Sequence, residues 1–410
     1  MRNVAVVGAL YLTVVLLYVL SRMYGGFGPW FLFGAAAMLA IYETTVLLLL
    51  PRRFAIERKL SATRVCAQED VPVALTVRIL DRRRFPIAWL RVEELLPTRL
   101  AVRSAQPRWL TFPGRAGVSA FRYSLSGVPR GVFDSWAAQI SCGDAFGLIV
   151  RRARVAGVGQ LIVYPASRPP ALLASFQQMR LGARLAHMRS PDDASRVIGV
   201  RDYVPGDRLS RIHWPATART GALRSKEFEH HATNELELVV DASAGSFGDD
   251  AASFERALSV AASIAQYAHR EGLPFGLATF GSRFVDLGVG RGDVMLLQAL
   301  DHLATLEAGG GEGPADSPWR LLSIPRQAAV ILVTRRPDKK LVRLAVMLRE
   351  RQCRVTLLAV CANETAAFGV AEEDAAAQLA AVGWAVAPVH ALGDLDSRAV
   401  PPHGERLVPG

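Results

Sequence analysis

Two long apolar stretches near the amino terminus constrain this chain more than any other feature of its sequence. Asn3 to Leu20 contains no charged side chain, and Phe27 to Leu50 contains only Glu43. A bilayer core about 30 Å thick is spanned by roughly 20 helical residues, each rising about 1.5 Å. Residues 1–51 are therefore predicted to form a transmembrane hairpin. Glu43 is interpreted either as a functional membrane carboxylate or as a residue packed within the hairpin.

Basic residues beside these stretches predict the orientation of the hairpin. The turn from Ser21 to Gly26 carries only Arg22, whereas the segment after the second stretch carries Arg52, Arg53, Arg58 and Lys59. Basic residues are enriched on the cytoplasmic side of spans, so we expect a two-pass protein of the inner (plasma) membrane whose bulk is cytoplasmic. A cleaved signal peptide is the alternative for the first stretch. No A-x-A-like site follows it, however, and a second span comes at once.

The net charge narrows the classes of partner. The chain has 48 Lys and Arg against 37 Asp and Glu, a formal net charge of +11. Such a surface attracts nucleic acid, anionic lipid or an acidic protein. The aromatic residues are not interleaved with the basic ones, which disfavours nucleic acid and leaves membrane lipids and a protein partner. The cysteines show no C-x-x-C spacing and are expected to be free thiols, namely Cys66, Cys142, Cys353 and Cys361.

From residue 60 to 166 the pattern is that of short strands. Apolar residues alternate with other residues from Val71 to Ile79, a period of two. Turn clusters separate further short apolar runs at 87–92, 118–125, 137–142 and 160–164. This predicts a β-sandwich-like domain. A segment at 167–233 follows, with a helix expected at 172–188 and an arginine-rich connector after it.

From residue 234 the hydrophobic period changes. A buried-type strand at 236–240 ends at Asp241, and apolar residues at i, i+3, i+4 spacing predict a helix at 254–269. Further strands are expected at 275–280, 328–334, 354–361 and 384–389, with helices at 294–303, 340–350 and 375–382. Residues 234–392 are thus predicted to form an α/β domain with a mainly parallel, doubly wound sheet. The glycine-rich segment 308–318 is expected to be a flexible loop, and 393–410 a disordered tail.

A dense polar segment precedes this α/β domain. Its candidate interaction or structural residues are Arg201, Asp202, Tyr203, Gly206, Asp207, Arg211, His213, Trp214 and Arg219. In one interpretation, Asp207 at a Pro-Gly-Asp turn fixes a buried ion-pair network, with Trp214 packed against a guanidinium. In the other, His213 is a catalytic base oriented by Asp207. Because no nucleophile stands at a fixed spacing, the structural interpretation is favoured and no enzyme is predicted.

Asp241 and Ser243 follow the first strand of the α/β domain directly. In doubly wound sheets, ligands bind beyond the carboxyl ends of the strands. Carboxylate and hydroxyl oxygens are hard ligands, so these two residues are candidate ligands for Mg²⁺ or Ca²⁺. The same D-x-S pattern also forms turns and helix caps, and both interpretations stay open.

Several motifs together resemble the bacterial "domain of unknown function 58" family. They are Arg130-Gly131-Val132-Phe133, the run from Gly143 to Leu148 (GDAFGL), the segment RDYxxGDxxxRIHWxxxAR from Arg201 to Arg219, and the strand into Asp241-Ala242-Ser243. With the amino-terminal hairpin, the resemblance covers about residues 1–365. It implies a von Willebrand factor A-like fold and partnership with a MoxR-type AAA+ ATPase in assembly or maturation of other complexes. The client protein is left open.

The sequence departs from the metal site of that fold. The full motif is D-x-S-x-S with a Thr and an Asp from two later loops. Here Gly245 takes the last serine position and Ser246 comes one place late. The loop 288–293 lacks a Thr, and Arg335 and Arg336 stand where the Asp is typical. At about 4 Å and an effective dielectric near 20, each such cation repels a metal charge by roughly 4 kcal/mol. We therefore expect Asp241 to pair with an arginine instead.

These observations favour a membrane-anchored, non-catalytic interaction scaffold. Two alternatives remain. One is a hydrolase-type enzyme that uses His213 and Asp207, and the other is a divalent-metal-dependent receptor that uses Asp241 and Ser243.

Overall fold

The computed structural model describes residues 2–81, 88–101, 106–113, 117–134, 136–157, 159–168, 196–204, 212–229, 235–248, 250–361 and 368–392. The chain divides into two compact units, Met1–Tyr164 and Pro165–Gly410. The helix predicted at 172–188 and the tail predicted from residue 393 lie outside the described residues.

The first unit begins with two long helices, α1 (Arg2–Tyr24) and α2 (Phe27–Leu49). Both are long and apolar enough to cross a membrane. The turn between them is shorter than predicted, because α1 continues through Tyr24. Gly25 and Gly26 make this turn with φ of +63° and +84°, a region that residues with a Cβ rarely adopt.

Arg58, predicted to be one of the cations beside the membrane, is an interior residue. Its Nη2 lies 2.7 Å from Oε2 of Glu94, and both side chains are buried. Its guanidinium carbon lies 4.5 Å from the ring centroid of Trp136. The basic flank of the hairpin therefore consists of Arg52, Arg53 and Lys59.

The body of the first unit is built from short strands. They are β1 (Phe54–Leu60), β2 (Arg64–Cys66), β3 (Val71–Ile79), β4 (Trp89–Glu94), β5 (Arg108–Thr111), β6 (Val118–Leu125), β7 (Gly131–Phe133), β8 (Ala137–Gly143), β9 (Val150–Ala156) and β10 (Leu161–Tyr164). A short helix, α3 (Thr98–Ala101), follows β4. The sheets have the orders β1-β3-β6, β2-β10-β7 and β5-β4-β8-β9. The predicted bounds of β3 and β6 are confirmed, and β3 buries alternate residues as its period predicts.

The carboxyl-terminal part of α2 belongs to the core of this strand-rich body. Val46 and Leu50 are fully or almost fully buried in one hydrophobic cluster with Phe54 and Leu75. The ring of Tyr42 also packs edge-on against Phe146, with 5.9 Å between centroids. The second helix of the hairpin is thus joined to the strands by packing as well as by the chain.

The second unit contains a small antiparallel sheet within the predicted connector. β11 (Arg196–Asp202) pairs with β12 (Arg224–Glu229), and α4 (Trp214–Thr220) lies between them in sequence. The sequence analysis missed both strands, because they are rich in charge and far apart in the chain. A bulge between Val197 and Gly199 further interrupts their alternation.

The larger sheet of the second unit has six strands in the order β15-β14-β13-β16-β17-β18. They are β13 (Leu236–Asp241), β14 (Phe275–Phe280), β15 (Val285–Gly290), β16 (Ala329–Thr334), β17 (Arg354–Val360) and β18 (Ala385–Val389). Neighbouring strands are parallel except β15, which is antiparallel to β14. β15 was not predicted, because its glycines and exposed positions favour a hairpin turn.

Helices alternate with these strands. They are α5 (Ala244–Phe247), α6 (Ala251–Arg270), α7 (Gly292–Thr305), α8 (Leu341–Glu350) and α9 (Val370–Val382), with a 3₁₀ helix at Pro318–Ser323. Every residue of β13 and β14 is buried, as expected for parallel strands covered on both faces. Val239 and Leu332 of the sheet share a core cluster with Leu344 and Leu348 of α8.

Candidate functional site

The carboxyl edge of the six-stranded sheet brings together the ends of β13 and β16. Counted within this sheet, the strand order is 3-2-1-4-5-6, so its direction reverses between these two strands. Ligands in open α/β sheets bind at such a switch point, beyond the carboxyl ends of the strands. β13 ends with Asp241 and β16 with Thr334, which places both side chains at that point.

Hydroxyl groups surround the Asp241 carboxylate. Ser243 donates its hydroxyl to Asp241 Oδ1 over 2.7 Å and its backbone N–H over 3.1 Å. The Thr334 hydroxyl donates to Oδ2 over 3.1 Å. Ser246, in α5, places its Oγ 2.9 Å from the Thr334 hydroxyl. We call Asp241, Ser243, Ser246 and Thr334 the edge cluster.

The sequence analysis found only half of the edge cluster. In sequence, Ser246 comes one position after the second serine of the D-x-S-x-S motif, but the turn of α5 brings its side chain to the site. Thr334 was not predicted as a site residue, because the two arginines that follow it occupy the position of the metal-binding Asp. A polar residue at the end of each of two adjacent parallel strands was the signal that could have identified it.

Burial and hydrogen bonding act in opposite directions on Asp241. Only 7 % of the residue is exposed. Burial raises the pKa of its carboxyl group, and the hydrogen bonds from Ser243, Ser246 and Thr334 oppose that rise by stabilising the charged form. The carboxylate is thus held by neutral donors.

Among the described residues, no arginine forms the expected pair with Asp241. Arg335 Nη2 lies 2.8 Å from Oδ2 of Asp250, the residue that caps α6. Arg336 Nη1 lies 3.0 Å from Oε1 of Glu372 in α9. Each guanidinium therefore has a carboxylate of its own away from Asp241. This explains how a cationic loop follows β16 without disturbing the edge cluster.

The edge cluster does not fit a divalent metal. It supplies one carboxylate, both of whose oxygens already accept hydroxyl hydrogen bonds. The nearby carboxylate of Asp316 accepts the backbone N–H of Gly313 over 3.3 Å. Among the described residues, no group of three or more His, Cys, Asp and Glu side chains could hold a metal ion. Magnesium and calcium sites usually gather more oxygen ligands and more charge than this.

The predicted flexible loop at 308–318 packs closely against the same edge. Gly309 donates its N–H to the carbonyl of Ala242 over 3.2 Å. A Cβ at Gly313 would lie 3.1 Å from Ser243 Oγ, and one at Gly311 would collide with the carbonyl oxygen of Gly281. The glycines of this segment therefore permit close approach to the sheet edge, which is a different role from that of a free linker.

A cleft of about 350 Å³ opens beside this loop. Residues 281–284, which follow β14, form one wall, and Gly311, Glu312 and Arg320 form the other. The guanidinium carbon of Arg320 lies 5.1 Å from the ring centroid of Phe284. We call this opening the edge cleft.

The polar segment between residues 201 and 219 is only partly described. Gly206, Asp207 and Arg211 lie outside the described residues, so the proposed pair of His213 and Asp207 is untested. Arg201, Asp202 and Tyr203 lie in or next to β11, and Arg219 lies in α4. Asp202 Oδ1 lies 2.6 Å from Nη1 of Arg224 in β12.

His213 caps α4. Its Nδ1 accepts the backbone N–H of Ala216 over 3.1 Å, an N-cap interaction that engages one ring nitrogen. Trp214, expected in a buried ion-pair network, is 63 % exposed instead. The motif residues that are described thus form a capped helix with an aromatic ring at the surface.

The comparison with protein families covers this segment and most of the sheet. Residues 199–366 match the family described as "Protein of unknown function DUF58". Residues 199–366 are therefore a DUF58 region. The resemblance drawn from the motifs is thereby confirmed at the level of the family. The DUF58 match runs from β11 to just beyond β17 and includes the whole edge cluster.

The chain is also similar to individual known proteins. "Uncharacterized protein YeaD" of Bacillus subtilis (strain 168) is 28 % identical over 326 residues, which cover 78 % of this chain and 80 % of that protein. The PilB minor pilin from Streptococcus sanguinis matches with a TM-score of 0.30 and 6 % identity over 75 % of this chain and 84 % of that one. The pilus adhesin SpaC from Lactobacillus rhamnosus GG matches with a TM-score of 0.31 and 11 % identity over 39 % and 28 %. At these TM-scores neither structure assigns a fold or a function.

Proposed function

We propose that this protein is a membrane-anchored, non-catalytic interaction scaffold. Two apolar helices anchor it in the inner (plasma) membrane, and the rest of the chain is cytoplasmic. Its α/β domain, von Willebrand factor A-like, docks a MoxR-type AAA+ ATPase that assembles or matures other complexes.

The closed hydrogen bonding of the edge cluster carries this proposal. The Ser243 hydroxyl donates to the Asp241 carboxylate, which also accepts the Thr334 hydroxyl, so these groups form a closed hydrogen-bond network. His213 uses Nδ1 to cap a helix. These interactions favour a structural role for the described polar residues, and the switch point beside them is where such sheets bind ligands.

The strand order supports the fold that the proposal assumes. A mainly parallel sheet of order 3-2-1-4-5-6 with intervening helices is typical of doubly wound α/β domains, and here only the edge strand β15 is antiparallel. The basic residues Arg52, Arg53 and Lys59 after α2 support the cytoplasmic orientation and contact with anionic lipid headgroups.

Affinity purification of the full-length protein from membranes, after mild cross-linking, tests the proposal. Ser282 is exposed just beyond the carboxyl end of β14, whereas Arg326 is exposed before the amino end of β16. We expect the wild-type protein and Arg326→Trp to recover an AAA+ ATPase, and Ser282→Trp to lose it because the bulky ring blocks the carboxyl edge. Absence of an AAA+ ATPase from the wild-type sample would refute the partner, and equal recovery by both variants would refute the docking edge.

A further inference from the structure

The edge cleft presents two arginines from different elements. Arg283 lies in the turn after β14, and Arg320 lies in the 3₁₀ helix Pro318–Ser323. Both residues are exposed. Between them the cleft is lined by Phe284 and by the backbone of Gly281 and Gly311. The opening therefore combines a small apolar wall with two positive charges.

Among the described residues, these arginines have no carboxylate partner, unlike other arginines of the domain. Arg335 and Arg336 pair with Asp250 and Glu372. Within the described part of the chain, neither Arg283 nor Arg320 lies within 4.0 Å of a carboxylate oxygen. The carboxylate in the cleft wall, Glu312, accepts the hydroxyl of Ser317. Two guanidinium groups in the cleft thus remain available to an anion.

The position of Arg320 favours binding of a planar anion. Its guanidinium lies over the ring of Phe284, at 5.1 Å from the centroid. Such stacking fixes the plane of the guanidinium and leaves its N–H groups free at the edge. A guanidinium held in this way donates two parallel hydrogen bonds to a carboxylate.

The surroundings of the cleft favour a protein segment over a phosphate compound. Trp319 and Leu322 flank Arg320 on the 3₁₀ helix and are 58 % and 49 % exposed. Trp and Arg side chains that lie next to each other at the surface are typical of the centres of protein interfaces. Glu312 also lines the cleft and lowers the net positive charge that an anion meets there.

We propose that the edge cleft binds the Asp or Glu side chains of an acidic segment in a protein partner, with Arg283 and Arg320 as the carboxylate-binding residues. This inference rests on the proposed docking function and gives it a specific chemistry. Recognition of the acidic segment then needs no metal ion, because guanidinium groups beside the switch point supply the positive charge.

Fluorescence anisotropy with the detergent-solubilised full-length protein tests this assignment. The probes are a labelled peptide Glu-Glu-Leu-Glu-Glu and its Gln-Gln-Leu-Gln-Gln counterpart. We expect the acidic peptide to bind at least about tenfold more tightly than its amide counterpart, and Arg283→Gln/Arg320→Gln to remove that difference, since the hydrogen bonds from the guanidinium groups to the carboxylates are charge-assisted. The matched variant Arg326→Gln/Arg343→Gln, which loses the same charge at exposed positions outside the cleft, keeps the difference.

Three outcomes overturn the inference. They are equal affinity for the two peptides, unchanged affinity in the cleft variant, and displacement of the acidic peptide by inorganic phosphate at lower concentration than by glutarate. The purification described above separates this inference from the proposed function. If Arg283→Gln/Arg320→Gln still recovers the AAA+ ATPase, the assignment of the edge cleft as the binding site is refuted and the docking function stands. If the wild-type protein recovers none, the docking function fails whatever the peptides do.

Discussion

At the scale of single residues, Glu237 is a carboxylate that the fold accommodates poorly. It lies in the central strand β13, is 4 % exposed, and its Oε2 has no hydrogen-bond partner. Gly276 on the neighbouring strand leaves the space that its carboxylate oxygens occupy. Burial, with smaller contributions from Asp286 and Glu235, raises the pKa of Glu237 to about 8. The protonated form is therefore the one that suits the folded protein.

Glu237→Gln is expected to stabilise the protein in alkaline solution. A carboxyl whose pKa is raised from 4.5 to about 8 on folding contributes stability below pH 4.5, and that contribution is lost as the pH rises through 8. We expect the variant to exceed the wild type by roughly 2–4 kcal/mol at pH 9 and to equal it near pH 5. Thermal unfolding in detergent from pH 5 to 9 measures this, with the exposed Glu373→Gln as the control. A difference in melting temperature between Glu237→Gln and the wild type that does not change with pH would contradict this prediction.

Thr334→Val tests the edge cluster at the same scale. The substitution removes the hydroxyl that donates to Asp241 Oδ2 and leaves a buried carboxylate with fewer donors. We expect a loss of about 1–3 kcal/mol in the free energy of unfolding. Thr305→Val, whose hydroxyl bonds only the exposed carbonyl of His302 at the end of α7, is the matched control and should change stability little. Equal changes in the free energy of unfolding for the two variants would show that the hydrogen bond from Thr334 does not contribute to stability.

At the scale of elements, the GDAFGL run explains how the loop after β8 holds its shape. Asp144 is buried and accepts the backbone N–H groups of Phe146 and Ile149, each over 2.7 Å. Its carbonyl accepts the indole N–H of Trp89 over 2.8 Å. The conformation presents Phe146 to Tyr42 of α2. A motif first noted only as part of a family resemblance thus positions a contact with α2.

Asp144→Ala is expected to loosen this loop and expose the thiol beside it. Cys142 in β8 is fully buried, and burial raises its pKa to about 11, so it should resist maleimide at pH 7. Loss of two charge-assisted hydrogen bonds should cost about 2–4 kcal/mol and increase the rate of Cys142 labelling. The measurement uses a chain in which Cys66, Cys353 and Cys361 are replaced by Ser. Asp134→Ala, an exposed carboxylate in the same unit, serves as the control and should leave labelling slow.

At the scale of the whole molecule, the sequence predicts best where burial imposes a clear period. The spans, β3, β6 and the strands of the parallel sheet were found because their apolar residues repeat regularly. β11, β12 and β15 were missed because charge, glycine and edge positions obscure the alternation. The edge cluster was half predicted, since Thr334 and Ser246 join Asp241 only through the pairing of β13 with β16 and the turn of α5.

Titration of the whole protein with a divalent metal tests whether the edge cluster binds a metal ion. Because the edge cluster supplies one carboxylate already held by hydroxyl groups, calorimetric addition of Mg²⁺ or Mn²⁺ to the full-length protein should release no binding heat at millimolar concentrations. The variant Asp241→Asn is the control, because it lacks the carboxylate and shows whether any heat comes from metal binding at the edge cluster. Heat that appears in the wild type and vanishes in this variant would restore the metal-dependent receptor.

The sharing of Val46 and Leu50 with the strand-rich body has a mechanical consequence. A domain joined to a helix by a flexible linker reorients independently of that helix, whereas these strands share a core with α2. With α2 as the proposed membrane span, a change in its tilt would therefore reorient the strands of the first unit. Cutting the chain after residue 51 would strip apolar side chains from that interior, so the excised domain should aggregate.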